Sequence, residues 1–102
     1  MKEQLINLTP HPLNFPDRTI ESSGVARVSA TSEVVGDFDG VDVYRVTYGD
    51  VVGLPEPQSR VRYVVSRMTA AAAPDRMDLV VTSNIIRDDQ GKIIGAKGVE
   101  FP

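Results

Sequence analysis

The sequence contains no cysteine, no tryptophan and only one histidine, His11. Without cysteine the chain can form neither disulfides nor thiolate metal sites, a composition that fits a reducing compartment. A zinc site would have to use carboxylates and water beside a single imidazole, which is an unusual ligand set. Because no catalytic or cofactor motif is present either, we predict no metal, no cofactor and no catalytic residue.

Long apolar runs and a net positive charge are also missing. No apolar segment approaches the length of a membrane span, and the first residues do not form a secretory signal. The net charge is −3, whereas general binding to nucleic acids or to anionic membranes needs a basic surface. We therefore expect a cytoplasmic protein with no membrane partner and no general nucleic-acid binding.

What is present is the composition of an ordinary globular domain, 41% hydrophobic and 25% charged over 102 residues. This length can supply one modest core, and no linker or internal repeat divides the chain. We predict a single domain over residues 1–102.

Short segments with alternating apolar residues follow one another along most of the chain. The clearest is residues 60–65, where Val61, Tyr63 and Val65 fall on one face, and Arg60, Arg62 and Val64 fall on the other. β-Branched and aromatic residues favour such half-buried strands.

Turn residues separate these segments at regular intervals. Asp39-Gly40 and residues 89–91 predict hairpins, and Pro16-Asp17 predicts a third turn, whereas Tyr48-Gly49 is expected to break a strand. Residues 37–42 superficially resemble a calcium loop, but they lack its ordered ligands and terminal Glu, so we interpret them as a hairpin turn.

The expected fold is mainly β, at the border of α+β. Seven to nine short strands would form a small antiparallel curled sheet or barrel with one short helix at residues 66–73. A parallel βαβ fold would need several crossover helices.

Ser66 is the expected N-cap of this helix, and Pro74 ends it. Because two turns are marginal alone, the helix must pack on the sheet. The side expected to pack carries Met68, Ala71 and Ala72.

The densest positive charge lies between residues 60 and 76, close to the start of the predicted helix. A helix N-terminus with a capping serine and nearby guanidinium groups can hold an anion. The alternative is a solvated face on which the arginines pair with Glu56, Asp75 or Asp78. In the loop around His11, polar side chains either line a pocket or fix the loop through backbone hydrogen bonds. The candidate ligand-binding residues are Asn7, Thr9, His11, Arg60, Arg62, Ser66, Arg67 and Arg76.

Several motifs in order resemble a family of small uncharacterised proteins from phages, prophages and actinobacteria. The motifs are Asn-Leu-Thr-Pro-His, Ser-Gly-x-x-Ala-Arg-Val, Tyr-Gly-x-Val-x-Gly-Leu-Pro-x-Pro, Tyr-x-Val-Ser and Arg-Asp-x-x-Gly-x-x-x-Gly. Residues 7–11, 48–57, 63–66 and 87–95 match four of them, and residues 23–28, Ser-Gly-Val-Ala-Arg-Val, carry the second motif with one residue fewer between glycine and alanine. Where that family has a glycine-containing turn before the Tyr-x-Val-Ser strand, this chain has residues 58–62 without glycine. The resemblance implies a phage or mobile-element origin and no particular activity.

Three functions from different classes follow as hypotheses. The first is a non-enzymatic binding protein, acting in the host cytoplasm, that captures a small anionic, nucleotide-like ligand or blocks a host protein; the resemblance to phage proteins adds counter-defence as its purpose. The second is a structural or assembly module that forms a homo-oligomer through sheet edges. The third is a small hydrolase that uses His11, although a catalytic site normally combines several titratable groups.

Overall fold

The computed structural model describes residues 3–102, which form eight strands and one short helix. In chain order the elements are β1 (Gln4–Asn7), β2 (Leu13–Phe15), β3 (Arg18–Ile20), β4 (Arg27–Phe38), β5 (Val41–Val52), β6 (Val61–Val64), α1 (Arg67–Ala71), β7 (Leu79–Arg87) and β8 (Ile93–Glu100). The predicted fold class is confirmed: the protein is mainly β, with a curled half-barrel sheet and one short helix. No helix within residues 3–102 is long and apolar enough to cross a membrane.

A four-stranded sheet in the order β1-β6-β7-β8 forms the centre of the molecule. Its β7–β8 pair is antiparallel as expected, but β6 pairs in parallel with both β1 and β7. The expectation that parallel pairing needs several crossover helices was wrong here. The single helix α1 connects β6 to β7, and the connection from β1 to β6 is the long segment that includes both other hairpins.

The core lies where β6 and β7 meet the helix and the first loop. Its buried apolar residues include Tyr63, Val65, Leu79 and Val81, packed with Leu8, Ala26 and Ala70. Tyr63 and Val64 are both at most 1% exposed, so β6 is covered on both faces. The predicted alternation therefore holds only on the Tyr63 face, because a central strand buries both faces.

Helix α1 is shorter than predicted and presents a different side to the core. It ends at Ala71, with Ala72 as C-cap, whereas residues up to Ala73 were expected. Thr69 and Ala70 are buried, and Met68 is 58% exposed, so the predicted packing side was wrong. With only five residues, the helix is oriented by its Ser66 cap and by Thr69 rather than by an amphipathic stripe.

The three predicted hairpin turns are confirmed, with longer strands around two of them. The turn at Asp39-Gly40 has positive φ at both residues, 54° and 83°. The expected break at Tyr48-Gly49 was wrong, because β5 runs through it. The register shifts at a β-bulge between Val28 and Ala30. A Cβ on Gly49 would lie 2.5 Å from the Ser29 hydroxyl oxygen but 3.8 Å from the Ser29 carbonyl oxygen, so the Ser29 side chain would have to rotate to admit it.

Strands β4 and β5 form a two-stranded arm, defined here as residues 27–52, that hydrogen-bonds to no other strand among the described residues. From residue 29 to residue 50 every residue is exposed except Val43, which is half-buried. The described residues span 56 × 39 × 20 Å. Isolated two-stranded hairpins are marginally stable in water, so this arm lacks the support that a third strand would provide.

Candidate functional site

A cavity of about 760 Å³ opens beside the loop that contains His11, and we call it the His11 cavity. Its apolar lining, called here the aliphatic wall, comes from β2, β7, β8 and the residue that follows β6. It is formed by Leu13, Val65, Val81, Ile85, Ile93 and Ile94. The polar residues of the lining include Thr9, His11, Thr19, Glu21, Ser66 and Arg67. Concave sites that combine an apolar wall with a few polar groups are typical of ligand pockets.

Asn7 holds the loop that forms one side of this cavity. Its side-chain Nδ2 donates to the carbonyl oxygens of His11, at 2.8 Å, and Ile20, at 3.0 Å. Its Oδ1 accepts from the backbone N–H of Thr9 at 2.9 Å and from the Thr9 hydroxyl at 2.6 Å. Asn7 is fully buried, so both ends of its amide are satisfied inside the protein. We conclude that Asn7 positions the loop and does not face a ligand.

Thr9 and His11 take part in the loop's hydrogen bonds in different ways, Thr9 with its side chain and backbone and His11 with its backbone carbonyl. The Thr9 hydroxyl contacts Asn7 and the His11 carbonyl, and the Thr9 carbonyl accepts from the Ser22 hydroxyl at 2.7 Å. This is the loop-fixing role that the sequence offered as the alternative to ligand binding. His11 contributes its carbonyl to the same network, while its side chain is exposed at the cavity.

Ser66 is engaged as the helix cap. Its hydroxyl oxygen accepts from the backbone N–H of Thr69 at 3.2 Å, as the sequence predicted, and the hydroxyl donates to the Thr69 side chain at 2.9 Å. The buried Thr69 hydroxyl then donates to the Ala26 carbonyl at 3.3 Å. These hydrogen bonds fix the start of α1 at Ser66, and so place Arg67, the residue after Ser66, at the cavity.

Arg67 is the cation of the His11 cavity. Its Nη2 lies 3.4 Å from Oε1 of Glu100, and the two side chains are 66% and 45% exposed. A hydrogen bond from Ser83, and after it the charge of Arg67, lowers the pKa of the Glu100 carboxyl. Exposed pairs of this kind contribute little free energy, so Arg67 can exchange Glu100 for another anion at small cost.

The other three arginines predicted to bind ligand are Arg60, Arg62 and Arg76. They line a second cavity of about 380 Å³, which shares no lining residue with the His11 cavity. The expectation that Arg60 and Arg62 project from one strand face was wrong, because β6 begins after Arg60, whose φ is 63°. Glu3, Asp75 and Asp78 line the same cavity, so its charge is balanced.

These guanidinium groups make contacts within the chain. Arg62 donates to the Met77 carbonyl at 2.9 Å, lies 3.4 Å from Glu3 and stacks over the Phe101 ring at 5.4 Å. Arg76 pairs with Asp78. The structure thus brings Thr9, His11, Ser66 and Arg67 to one cavity and separates them from Arg60, Arg62 and Arg76.

The sequence did not identify the aliphatic wall as part of a site. Leu13, Ile93 and Ile94 carry only the pattern of ordinary strand residues, and they meet because β2 lies against β8. One local signal exists in Gly95, where a Cβ would lie 2.5 Å from the Asn14 carbonyl oxygen, so a side chain there would separate β2 from β8.

Metal chemistry and acid–base catalysis find no support in the geometry. Within residues 3–102 no three His, Cys, Asp or Glu side chains cluster closely enough to hold a metal ion. Glu21 lines the same cavity as His11, but no hydrogen bond joins the two side chains in the described part of the chain. A base normally needs an orienting partner of that kind, so the hydrolase hypothesis gains nothing from the structure.

Comparisons with known proteins leave the functional argument to this geometry. No protein-family model matches the chain, and neither the curated proteins nor the solved structures contain a match. The resemblance to small phage and actinobacterial proteins therefore stays a prediction from the motifs.

Proposed function

We propose that this protein is a non-enzymatic binding protein that captures a small ligand with an apolar body and an anionic group in the His11 cavity. The observation that carries this proposal is the arrangement of that cavity. Arg67 and His11 line a space of about 760 Å³ together with aliphatic side chains. A volume of this size is within the range of pockets for ligands of nucleotide size.

The apolar and the polar lining residues suggest how such a ligand would bind. A planar ring would cover Ile93 and Ile94, which are 55% and 48% exposed, and would remove them from water. A phosphate or carboxylate would replace Glu100 as the partner of Arg67 and form a charge-assisted hydrogen bond. Glu21 would accept from a hydroxyl or amino group of the ligand.

A nucleotide-like molecule has all three of these chemical parts. The resemblance to phage and prophage proteins supports a purpose for its capture, because a phage protein that withdraws a nucleotide signal in the host cytoplasm would act as counter-defence. In this reading the protein changes the free concentration of its ligand and performs no chemistry on it.

The test uses anilinonaphthalene sulfonate as a probe, since it combines an aromatic body with a fixed negative charge. We expect saturable binding to the dilute wild-type protein. Arg67→Gln should weaken binding about 3- to 10-fold, the loss of one exposed charge-assisted contact. Lys97→Gln is the matched control, because it removes a positive charge from β8 at a residue that lines a different cavity.

Ile94→Asp should weaken probe binding further, because it places a carboxylate on the aliphatic wall. Ile94 is 48% exposed, so this variant should retain its fold, which circular dichroism would verify. Wild-type affinity in both Arg67→Gln and Ile94→Asp would refute the proposal. Mass spectrometry of the denatured, freshly purified protein would identify a nucleotide that co-purifies.

A second candidate function, a structural or assembly module, is favoured by the arm. Its two strands have twelve residues each, and both outer edges are unpaired within residues 3–102. Exposed strand edges are templates for pairing with another chain, whether a second copy or a host protein. Light scattering over a range of concentrations tests the homo-oligomer, and a strict monomer at the highest concentration would count against it.

A further inference from the structure

The arm tip, residues 37–42, combines apolar exposure with a dense negative charge. Phe38 is 76% exposed and Val41 is 67% exposed, and the two are directly opposite each other in the hairpin. Asp37, Asp39 and Asp42 surround them, and the tip contains no cation. Its turn is ordered, because Asp37 Oδ2 accepts from the backbone N–H of Gly40 at 3.3 Å. A ring and carboxylates are thus presented together at the end of the arm.

The arm also carries the whole net charge of the chain. Two arginines and five carboxylates fall within residues 27–52, a net charge of −3, so the residues outside the arm balance to zero. The arm is therefore repelled by other arms and attracted to any basic group on the remaining part of a neighbouring molecule.

The His11 cavity has the complementary chemistry. Its aliphatic wall fits an apolar side chain, and Arg67 beside it is exposed, with only a weak surface pair to Glu100. Glu21 is the one carboxylate among the lining residues, and its charge weakens the attraction of an anionic group to Arg67. The lining therefore favours a ligand that places a ring on the wall and a carboxylate at Arg67.

We propose that the arm tip of one molecule inserts into the His11 cavity of a second copy, with Phe38 on the aliphatic wall and a tip aspartate at Arg67. This inference rests on the proposed function, because it names a partner for the same cavity. The arm tip does not occupy the His11 cavity of the same molecule in this conformation. Phe38 is 76% exposed, and the pairing of β4 with β5 continues up to Phe38 and Val41.

Contact between a single tip and a single cavity buries far less than the roughly 800 Å² per partner of a stable interface. Two molecules that exchange arms reciprocally make this contact twice, and the second contact forms within an existing complex. We therefore expect a weak dimer that appears only as the protein concentration rises. A small ligand in the cavity would compete with the arm and shift the protein toward monomer.

Complementation between two variants tests the contact directly. Phe38→Asp removes the apolar tip and leaves the cavity intact, whereas Ile94→Asp damages the cavity and leaves the tip intact. Each variant alone should remain monomeric by light scattering at concentrations where the wild type forms dimers. A mixture of the two should associate more strongly than either variant alone but more weakly than the wild type, because one productive tip and one productive cavity remain and the reciprocal second contact is lost.

Val46→Asp is the matched control, since it adds the same charge to the arm at a residue outside the tip that is 46% exposed. It should dimerise like the wild type. Val41→Ser is a second tip variant and should weaken dimerisation less than Phe38→Asp. Wild-type dimerisation in Phe38→Asp, or loss of dimers in Val46→Asp but not in Phe38→Asp, would overturn the proposal, as would a mixture that associates no more strongly than either variant alone.

The sulfonate probe separates this inference from the proposed function. In the wild type its apparent affinity should fall as the protein concentration rises, because arms compete for the cavity, whereas Phe38→Asp should show no such fall. Probe binding at low protein concentration without any dimer would refute arm exchange and leave the cavity as a ligand site. A dilute protein that does not bind the probe in the cavity would refute the proposed function.

Discussion

The guanidinium of Arg76 meets the carboxylate of Asp78 through two hydrogen bonds, Nε to Oδ1 at 2.9 Å and Nη2 to Oδ2 at 2.8 Å. Nη2 also donates to the Pro55 carbonyl at 2.8 Å. The two side chains are only 20% and 14% exposed. Through these contacts Arg76, one of the predicted ligand-binding residues, joins the proline-rich loop before β6 to the segment that leads into β7.

Arg76→Gln should therefore destabilise the protein. We expect the free energy of unfolding to fall by about 1.5–3 kcal/mol, the range for hydrogen bonds to charged groups, because the largely buried carboxylate of Asp78 loses its partner. Urea denaturation measures the change. Arg18→Gln is the control: its pair with Asp17 spans 3.8 Å between exposed side chains, and its loss should cost less than about 0.5 kcal/mol. Equal effects of the two substitutions would contradict this assignment.

The same pair predicts a loss of stability in acid. The hydrogen bond from Arg76 holds the pKa of Asp78 below its ordinary value of 3.8. A depressed carboxyl pKa stabilises the folded state above the unfolded pKa, and this contribution disappears as the pH falls through the folded pKa. The stability difference between wild type and Asp78→Asn should therefore shrink from about pH 5 to about pH 2. Urea midpoints across this range measure it, and a constant difference would show that Asp78 is not the linked group.

Asn7→Ala should destabilise the loop that forms the cavity. The substitution removes four hydrogen bonds and leaves the carbonyls of His11 and Ile20 without that donor in a part-buried site. We expect a cost of about 2–4 kcal/mol by urea denaturation. Asn14→Ala is the control, because its exposed amide makes a longer bond of 3.3 Å to the Ile94 carbonyl. A cost below that of Asn14→Ala would show that the loop does not depend on Asn7.

Gly53→Ala should be among the more damaging small substitutions. Gly53 has a φ of 84°, and an added Cβ would overlap the Val25 carbonyl oxygen at the base of the arm. Backbone strain alone costs about 1–3 kcal/mol, and the steric overlap adds to it. Gly36→Ala, in β4, has a negative φ and open space at the Cβ position, so it should change the thermal midpoint little. Similar midpoints for both variants would contradict the close contact at Val25.

Local patterns predicted the individual elements well. Asp39-Gly40 marks a hairpin because both residues accept positive φ, and Ser66 marks a helix start because its hydroxyl can cap a backbone N–H. Alternation predicted β6 in the same way. These signals depend on neighbouring residues only, so they can be read without the tertiary structure.

Strand polarity and the site depended on contacts between distant segments. Leu5 lies beside Arg62 in the parallel β1–β6 pair, and no local pattern specifies such a partner. Four of the eight predicted site residues share the His11 cavity, since the β1 loop and the end of β6 converge there. Arg60, Arg62 and Arg76 were assigned by charge alone, and charge does not say whether an arginine faces a ligand or a carboxylate.

By itself the sequence determined a β-rich fold without cysteine, with a negative net charge and with the turns and the helix cap at their observed positions. Only the tertiary structure decided which polar residues support the loop, which ones line a cavity, and that the net charge lies on an unpaired arm. The physical reason is that turn geometry and capping are short-range properties of the backbone. Burial and the pairing of charges are instead fixed when distant strands pack together.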